Sequence, residues 1–266
     1  MPIKFEPNRF QSAARYYVPG RLNYPASLIQ RVAERTGLTA QERVLDLGCG
    51  PGFLAAAFAP HAGEVFGVDP APAMLREAEQ FTAEAGVRGN TTFLQGSSYD
   101  LSALPPGLFR LVTIGRAFHW MDRAATLKEL ETRVLPGGAV ALFEDSHCKA
   151  PENPWRVRFQ ELLEPFITQD ESYAARHSPD WCPHLSFLLR SRFNQVERIG
   201  IIQKIETPVE RLLDRVLSQS ITSEERLGAQ RGPLLEKLRR LLAAEAVDGY
   251  LTEVVEFSAL LGTLAP

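Results

Sequence analysis

Apolar residues along the chain follow two rhythms. Short continuous runs at Val44-Leu45-Asp46-Leu47, Glu64-Val65-Phe66-Gly67-Val68-Asp69, Thr91-Thr92-Phe93-Leu94, Leu111-Val112-Thr113-Ile114 and Ala139-Val140-Ala141-Leu142-Phe143 read as strands covered on both faces. Between them the spacing turns helical. Leu28, Ile29 and Val32 share one face of a helix opened by Pro25 and closed near Gly37, a second helix starts around Pro70-Ala71-Pro72, and a third follows Asp122. Strand and helix in alternation predict an α/β fold: a parallel sheet with right-handed crossovers and helices on both faces. Ligands on such sheets sit beyond the carboxyl ends of the strands, where the strand order reverses.

The pattern changes between about 147 and 190. Trp155, Phe159, Leu162, Leu163 and Phe166 fall at helical spacing, and Tyr173, Trp181 and Phe187 follow in a proline-punctuated stretch. A parallel sheet does not need this segment, so it reads as an inserted helical cap. Its apolar stripe is expected to bury against the strand ends. Strands are then predicted around 196–205 and 251–261, with a helical section between. There Leu234, Leu235, Leu238, Leu241 and Leu242 form a stripe for core packing or for a dimer face, opposite Glu236 and Arg240. Residues 1–24 are aromatic and basic, with Phe5, Phe10, Arg15, Tyr16, Tyr17, Arg21 and Tyr24, and hold too few aliphatics for a core strand. They form an arm that either covers a ligand or packs on the sheet edge. The whole chain, 1–266, reads as one domain with this arm and the cap.

The chemistry begins at Asp46-Leu47-Gly48-Cys49-Gly50-Pro51-Gly52, where the first strand breaks into a glycine turn. Glycines let the backbone approach a ligand closely, and Pro51 suits the first position of the helix that follows. The free N–H groups of that helix favour an anionic group, while Asp46 sets one negative charge on the same rim. Such a rim suits a ligand carrying both a carboxylate and a cation. Asp69, at the end of the second strand and about 20 residues on, is placed to accept hydrogen bonds from ribose hydroxyls. The dinucleotide fingerprint wants glycine at its first, third and sixth positions; here the sixth is Phe53, which disfavours a nicotinamide-dependent oxidoreductase.

Composition narrows the partners. A net charge of -3 argues against a nucleic-acid surface. Cys49, Cys148 and Cys182 make no disulfide framework and fit a reducing compartment, so a cytoplasmic location is expected. No apolar stretch is long enough to span a membrane, and His147-Cys148 and Cys182-Pro183-His184 lack the short spacing of zinc motifs, so no metal is expected. Oligomeric state is not encoded in any of these features.

With these residues in view the chain resembles the class I S-adenosylmethionine-dependent methyltransferases, whose first motif is an acid followed by alternating glycines. The likeness continues through Gln95-Gly96-Ser97-Ser98-Tyr99, Gly115-Arg116-Ala117-Phe118-His119-Trp120 and Arg133-Val134-Leu135-Pro136-Gly137-Gly138, covering roughly residues 43 to 145. The segment Tyr17-Val18-Pro19-Gly20-Arg21-Leu22-Asn23-Tyr24-Pro25 is similar to the leader of trans-aconitate methyltransferase-like members, with Leu22 in place of a proline. The resemblance implies a Rossmann-like, mainly parallel seven-stranded sheet ending in an antiparallel pair, and S-adenosylmethionine as cofactor. It implies Asp46, Gly48, Gly50 and Asp69 as cofactor-binding, with Arg116 at the same rim and Tyr17 or Arg21 near the cofactor carboxylate. Ser97 and Ser98 stand where many members carry an acid for the adenine, so adenine contacts come from their hydroxyls or from backbone. Met74 lies beside the adenine or simply fills the core.

The reaction implied is methyl transfer to a small-molecule acceptor, which the trans-aconitate likeness makes a carboxylate. An in-line displacement mainly needs the reacting atoms held collinear, and only an acceptor that must lose a proton needs a base. His119 is the candidate base, against a reading as a wall residue. Phe118, Trp120 and Trp155 shape the acceptor pocket, and Arg21, Arg116 and Arg123 meet an anionic acceptor or stay solvated. The alternative function is a catalytically inactive S-adenosylmethionine-binding module acting as sensor or partner.

Overall fold

The computed structural model describes residue 6, residues 9–101, residue 104 and residues 106–265, so Phe5 lies outside the described residues. Among those residues the strands are β1 (Arg43–Leu47), β2 (Glu64–Asp69), β3 (Thr91–Gln95), β4 (Phe109–Gly115), β5 (Val134–His147), β6 (Gln195–Pro208) and β7 (Tyr250–Thr263). They form one sheet in the order β3-β2-β1-β4-β5-β7-β6. Pairing is parallel from β3 to β5, and β7 runs antiparallel to both β5 and β6. The sheet is thus Rossmann-like and mainly parallel, with the expected antiparallel pair at one side. The order reverses between β1 and β4, which opens a crevice at their carboxyl ends.

Helices α1 (Tyr17–Gly20), α2 (Ala26–Thr36), α3 (Phe53–Phe58), α4 (Pro72–Glu84) and α5 (Arg123–Leu130) accompany the parallel strands. Helices α6 (Trp155–Ile167), α7 (Glu171–His177) and α8 (His184–Arg190) follow β5. Helices α9 (Val209–Leu217), α10 (Glu224–Leu227) and α11 (Arg231–Glu245) lie between β6 and β7. The strand period of two splits the core. Val44, Val65, Leu111 and Ala141 join α2 and α3 on one face, while Leu45, Leu47, Val112 and Leu142 join α5 and α8 on the other. Gly37 closes α2 as anticipated, with φ 63 and its N–H donated to the carbonyls of Ala33 and Glu34.

Two expectations need correction. Pro51 does not open a helix: α3 begins at Phe53, behind Gly52 in the left-handed region at φ 81. A Cβ on Gly52 would lie 3.1 Å from Ala78 and 3.2 Å from Phe93, so close packing of the turn on α4 and β3 sets the boundary. Second, the stripe of α6 does not bury against the strand ends. Trp155, Phe159, Leu163 and Ile167 pack with Leu212, Leu213 and Val216 of α9 and with Leu234, Leu238 and Leu242 of α11. The two excursions, after β5 and after β6, each supply an apolar face, and together they close a helical core of their own. As expected, a helical section separates the antiparallel β6 and β7: residues 209–249 intervene with all of α9, α10 and α11.

The arm wedges between this helical layer and the sheet. Gly20 allows the contact: a Cβ there would lie 2.5 Å from the backbone nitrogen of Arg215 in α9. Arg215 Nε donates to the Gly20 carbonyl at 3.1 Å, and its other nitrogens reach Glu253 of β7 at 2.6 and 3.0 Å. Glu253 is fully buried and also takes Thr207 Oγ1 and His147 Nε2, each at 2.5 Å. Burial alone would raise its carboxyl, yet these partners hold it down to about 2.

Candidate cofactor and acceptor site

The crevice at the ends of β1, β2 and β4 holds three adjoining cavities. Two small ones, of about 90 and 30 Å³, flank the glycine turn. A third, of about 540 Å³, extends from Arg116 and His119 toward the helical layer. Tyr17 and Arg116 line all three.

The turn is pulled onto β2 by the N–H groups of Gly48 and Cys49, which donate to the Val68 carbonyl at 2.7 and 3.0 Å. Gly48 has φ 70 and Gly50 φ 53, both in the region that favours glycine. A Cβ on Gly48 would press within 2.8 Å of Ala117, whereas nothing lies within 4 Å of one on Gly50, which faces open space. Asp69 accepts the Gly50 N–H at 2.9 Å on one oxygen and the Ala71 N–H at 2.9 Å on the other, so the second strand end fixes the turn. Asp46 accepts Thr113 Oγ1 at 2.9 Å and the Ala55 N–H at 3.2 Å. Burial raises both carboxyls, Asp46 to about 7 and Asp69 to about 6, and those hydrogen bonds only partly offset it. Two buried carboxylates with no ion-pair partner among the described residues fit a ligand that brings positive charge.

The remaining predicted residues divide clearly. Ser97, Ser98 and Met74 line the 90 Å³ cavity, and Met74 also packs with Ala14, Ala71 and Ala73. Arg116 adopts φ 56, unusual for a residue with a Cβ and costing about 1–2 kcal/mol. Its guanidinium pairs with Asp145, donates to the Leu22 carbonyl at 2.8 Å and lies 4.6 Å from the Tyr24 ring. Burial opposes the charge on Asp145, but Arg116 and Arg21 outweigh it and lower that carboxyl. Arg21 lies over the Tyr17 ring at 5.2 Å and lines the large cavity rather than the small ones; its buried Nε has no hydrogen-bond partner. Phe118, His119 and Trp120 also line the large cavity.

Trp155 does not. It is 2% exposed inside the helical core and its Nε1 donates to the Thr252 carbonyl at 3.0 Å, which removes it from the acceptor pocket. Arg123 is spent elsewhere too, between the rings of Trp181 and Phe187 at 4.0 and 4.1 Å. The His119 ring is nearly parallel to that of His184, with ring centroids 6.4 Å apart. Burial, then Arg176, His184, Arg123 and Arg9, push its pKa well below the ordinary value, so the ring is neutral near pH 7.

Sequence reasoning did not single out Arg9, Asp145, Arg176 or His184 as site residues, although Arg176, His184 and Asp145 line the large cavity. No local spacing marks them; Arg9 comes from the arm, Asp145 from β5, and Arg176 and His184 from the excursion after β5, so only the tertiary fold brings them together. Among the described residues no set of three or more His, Cys, Asp or Glu gathers as metal ligands. Nor is any helix among them long and apolar enough to cross a membrane.

This geometry agrees with what the chain is similar to. Residues 44–138 match the family described as a methyltransferase domain. The methyltransferase YcgJ of Bacillus subtilis, itself uncharacterised, is 37% identical over 116 residues, 43% of this chain and 44% of that protein. The ubiquinone biosynthesis O-methyltransferase of Pseudomonas aeruginosa is 35% identical over 112 residues, 42% of this chain and 47% of the enzyme. The chain thus spans about half the length of such relatives. Among solved structures, an S-adenosylmethionine-dependent methyltransferase from Geobacter sulfurreducens in complex with S-adenosyl-L-homocysteine shares the fold. It aligns with a TM-score of 0.54 at 15% identity, over 97% of this chain and 99% of that one. Over residues 44–138 the chain is thus similar to S-adenosylmethionine-dependent methyltransferases. Its likeness to the trans-aconitate group rests on the leader motif alone.

Proposed function

We propose that this chain transfers a methyl group from S-adenosylmethionine to a small-molecule acceptor that carries a carboxylate, held in the 540 Å³ cavity. S-adenosylmethionine is the cofactor of the family, and when bound it supplies an electrophilic methyl group on a sulfonium. The donor set fits it: Asp69 retains lone pairs for ribose hydroxyls, and open space above Gly50 admits the ligand to the turn. Asp46 faces the cationic end, Ser97, Ser98 and Met74 the adenine, and Tyr17 with Arg21 the carboxylate.

The charge balance of the large cavity carries the acceptor reading. Arg21, Arg116, Arg176 and Arg198 line it against Glu144 and Asp145. Arg116 pairs with Asp145 and Arg198 with Glu144 at 3.3 Å, which leaves Arg21 and Arg176 without carboxylate partners among the described residues. Two surplus guanidiniums suit two carboxylates, one on the cofactor and one on the acceptor. A carboxylate already carries its lone pair, so no base is required; the neutral His119 ring orients the acceptor and Phe118 and Trp120 exclude water. A cavity adjoining the cofactor turn has no use in a module that only binds, which favours the enzyme over the sensor. The unpaired cysteines support a reducing, cytoplasmic setting.

Calorimetric titration with S-adenosylmethionine and S-adenosylhomocysteine, followed by a panel of carboxylic acids, phenols and amines scored by S-adenosylhomocysteine release, tests this. Turnover confined to phenols or amines would overturn the carboxylate assignment, and no binding of either nucleoside would overturn the whole.

A further inference from the structure

The helical layer delivers one guanidinium to the acceptor cavity by an indirect route. Arg176 sits at the carboxyl end of α7, a helix of seven residues. Its Nε donates to the Ser172 carbonyl at 3.2 Å, and its guanidinium lies 5.7 Å from the Trp120 ring centre, beside His119. A helix this short is marginal on its own and takes its position from what holds its first turn.

That hold is Asp170. The carboxylate is 6% exposed, and its Oδ1 caps α7 by accepting the N–H groups of Ser172 and Tyr173 at 2.9 and 3.1 Å. Its Oδ2 accepts Arg9 of the arm at 2.7 Å and Arg226 of α10 at 2.8 Å. Arg9 reaches further, to Ser172 Oγ and Ser220 Oγ, each at 3.0 Å, and its guanidinium covers the Trp120 ring at 4.6 Å. Arm, first excursion and second excursion therefore meet on one carboxylate, and the guanidiniums of Arg9 and Arg176 both pack against the Trp120 ring.

Of the two surplus guanidiniums in the cavity, Arg21 rests on Tyr17, which also lines the cavities at the glycine turn. Arg176 stands at the other side, with His119 and Trp120. We propose that Arg176 is the specificity-determining residue that selects an anionic acceptor, and that Asp170 is a positioning residue that makes its placement depend on the N-terminal arm. This rests on the reading of the large cavity as the acceptor site. The acceptor class it defines is a mono-anion at this position, with an apolar or aromatic body against Trp120, Trp181 and Ile221.

The test uses the full chain saturated with S-adenosylhomocysteine, titrated calorimetrically with benzoate, phenylacetate and octanoate and with the amide of each acid. One or more acids bind the wild type at least about tenfold more tightly than the matching amide, as a charge-assisted contact predicts. Arg176→Gln abolishes that ratio, while Arg176→Lys keeps most of it. Asp170→Asn and Arg9→Gln lower the ratio in part, and neither lowers it further in the Arg176→Gln background. With an acid that is turned over, these losses fall in KM. Melting temperature reports on folding in each variant, and S-adenosylhomocysteine affinity does so for the Arg176 and Asp170 variants, since Arg9 lines the 90 Å³ cavity. A ratio that survives Arg176→Gln, or a wild type that prefers no acid over its amide, overturns the proposal. Turnover separates it from the parent reading. Acids methylated with Arg176 irrelevant keep the function and sink this inference; acids bound through Arg176 but never methylated do the reverse.

Discussion

The cofactor side and the acceptor side of the crevice are assembled in different ways. On the cofactor side, Asp46, Gly48, Gly50 and Asp69 come from one strand-turn-helix-strand unit, and backbone N–H groups fix nearly every feature. On the proposed acceptor side, Arg21, His119, Arg176 and Ile221 come from segments far apart in the chain, and side chains do the fixing. The first kind of site survives wherever its short segment folds. The second exists only if two excursions and an arm dock together, which leaves its chemistry free to vary while the cofactor turn stays the same.

The comparison predicts that breaking the helical core damages one side far more than the other. Trp155→Ala removes the largest side chain of that core and costs about 3–5 kcal/mol of stability there. Hydrogen exchange then shows the amides of α6, α9 and α11 losing protection before those of β1 and β2, and acceptor turnover falls more than S-adenosylhomocysteine affinity. Equal loss at both sides would mean that the two halves are one cooperative unit. The reciprocal change is Asp69→Ala, which removes a carboxylate that holds the turn and that the proposed function sets against the ribose. Affinity for S-adenosylhomocysteine drops about 10- to 100-fold by calorimetry, with the helical core unaffected in exchange.

The same contrast explains what could be read from the chain beforehand. The strands, the sheet type and the cofactor turn were legible because each is written in consecutive residues whose period or spacing has a direct physical meaning. Even there Pro51 misled, since the helix start is set by the contact of Gly52 with α4 and β3 rather than by proline's own preference. Trp155 was misplaced for a related reason: periodicity shows that a stripe must be buried but not against what. Its partners, α9 and α11, lie more than fifty residues further on. Arg176 and Asp170 carried no signal at all, because an arginine near a helix end is ordinary until a carboxylate from the same loop is seen to join three segments.

Proton linkage sharpens the comparison, because the two sides titrate in opposite directions. On the cofactor side, burial raises Asp46 to about 7 and Asp69 to about 6, so both lose charge as pH falls through that window. A cationic ligand favours the ionised forms, so its binding lowers these pKa values and weakens as the groups protonate. Affinity for S-adenosylmethionine therefore falls about tenfold from pH 7.5 to 5.5 in calorimetric titrations, and Asp46→Asn flattens the upper part of the curve. On the acceptor side, burial first and then Arg123 and Arg176 lower His184 to about 4, and His119 is lowered as well. His184 stays neutral across the same window and His119 is shifted in the same direction, so carboxylate binding to the S-adenosylhomocysteine complex changes little. A flat cofactor curve with a steep acceptor curve would invert the assignment of the two sides.

The smallest expected effect concerns His119. A general base in the transition state contributes about 10²- to 10⁴-fold, whereas one neutral hydrogen bond contributes about 0.5–1.5 kcal/mol. The ring is surrounded by Arg176, His184, Arg123 and Arg9, and burial adds to their effect, so it is a poor proton acceptor near pH 7. With a carboxylate acceptor, His119→Gln therefore lowers kcat by only a few-fold, because glutamine can still hydrogen-bond while no proton has to move. Steady-state kinetics with an acid that is turned over gives the number. A loss of a hundredfold or more would show that a proton does leave the acceptor, and would replace the carboxylate with a hydroxyl or an ammonium group.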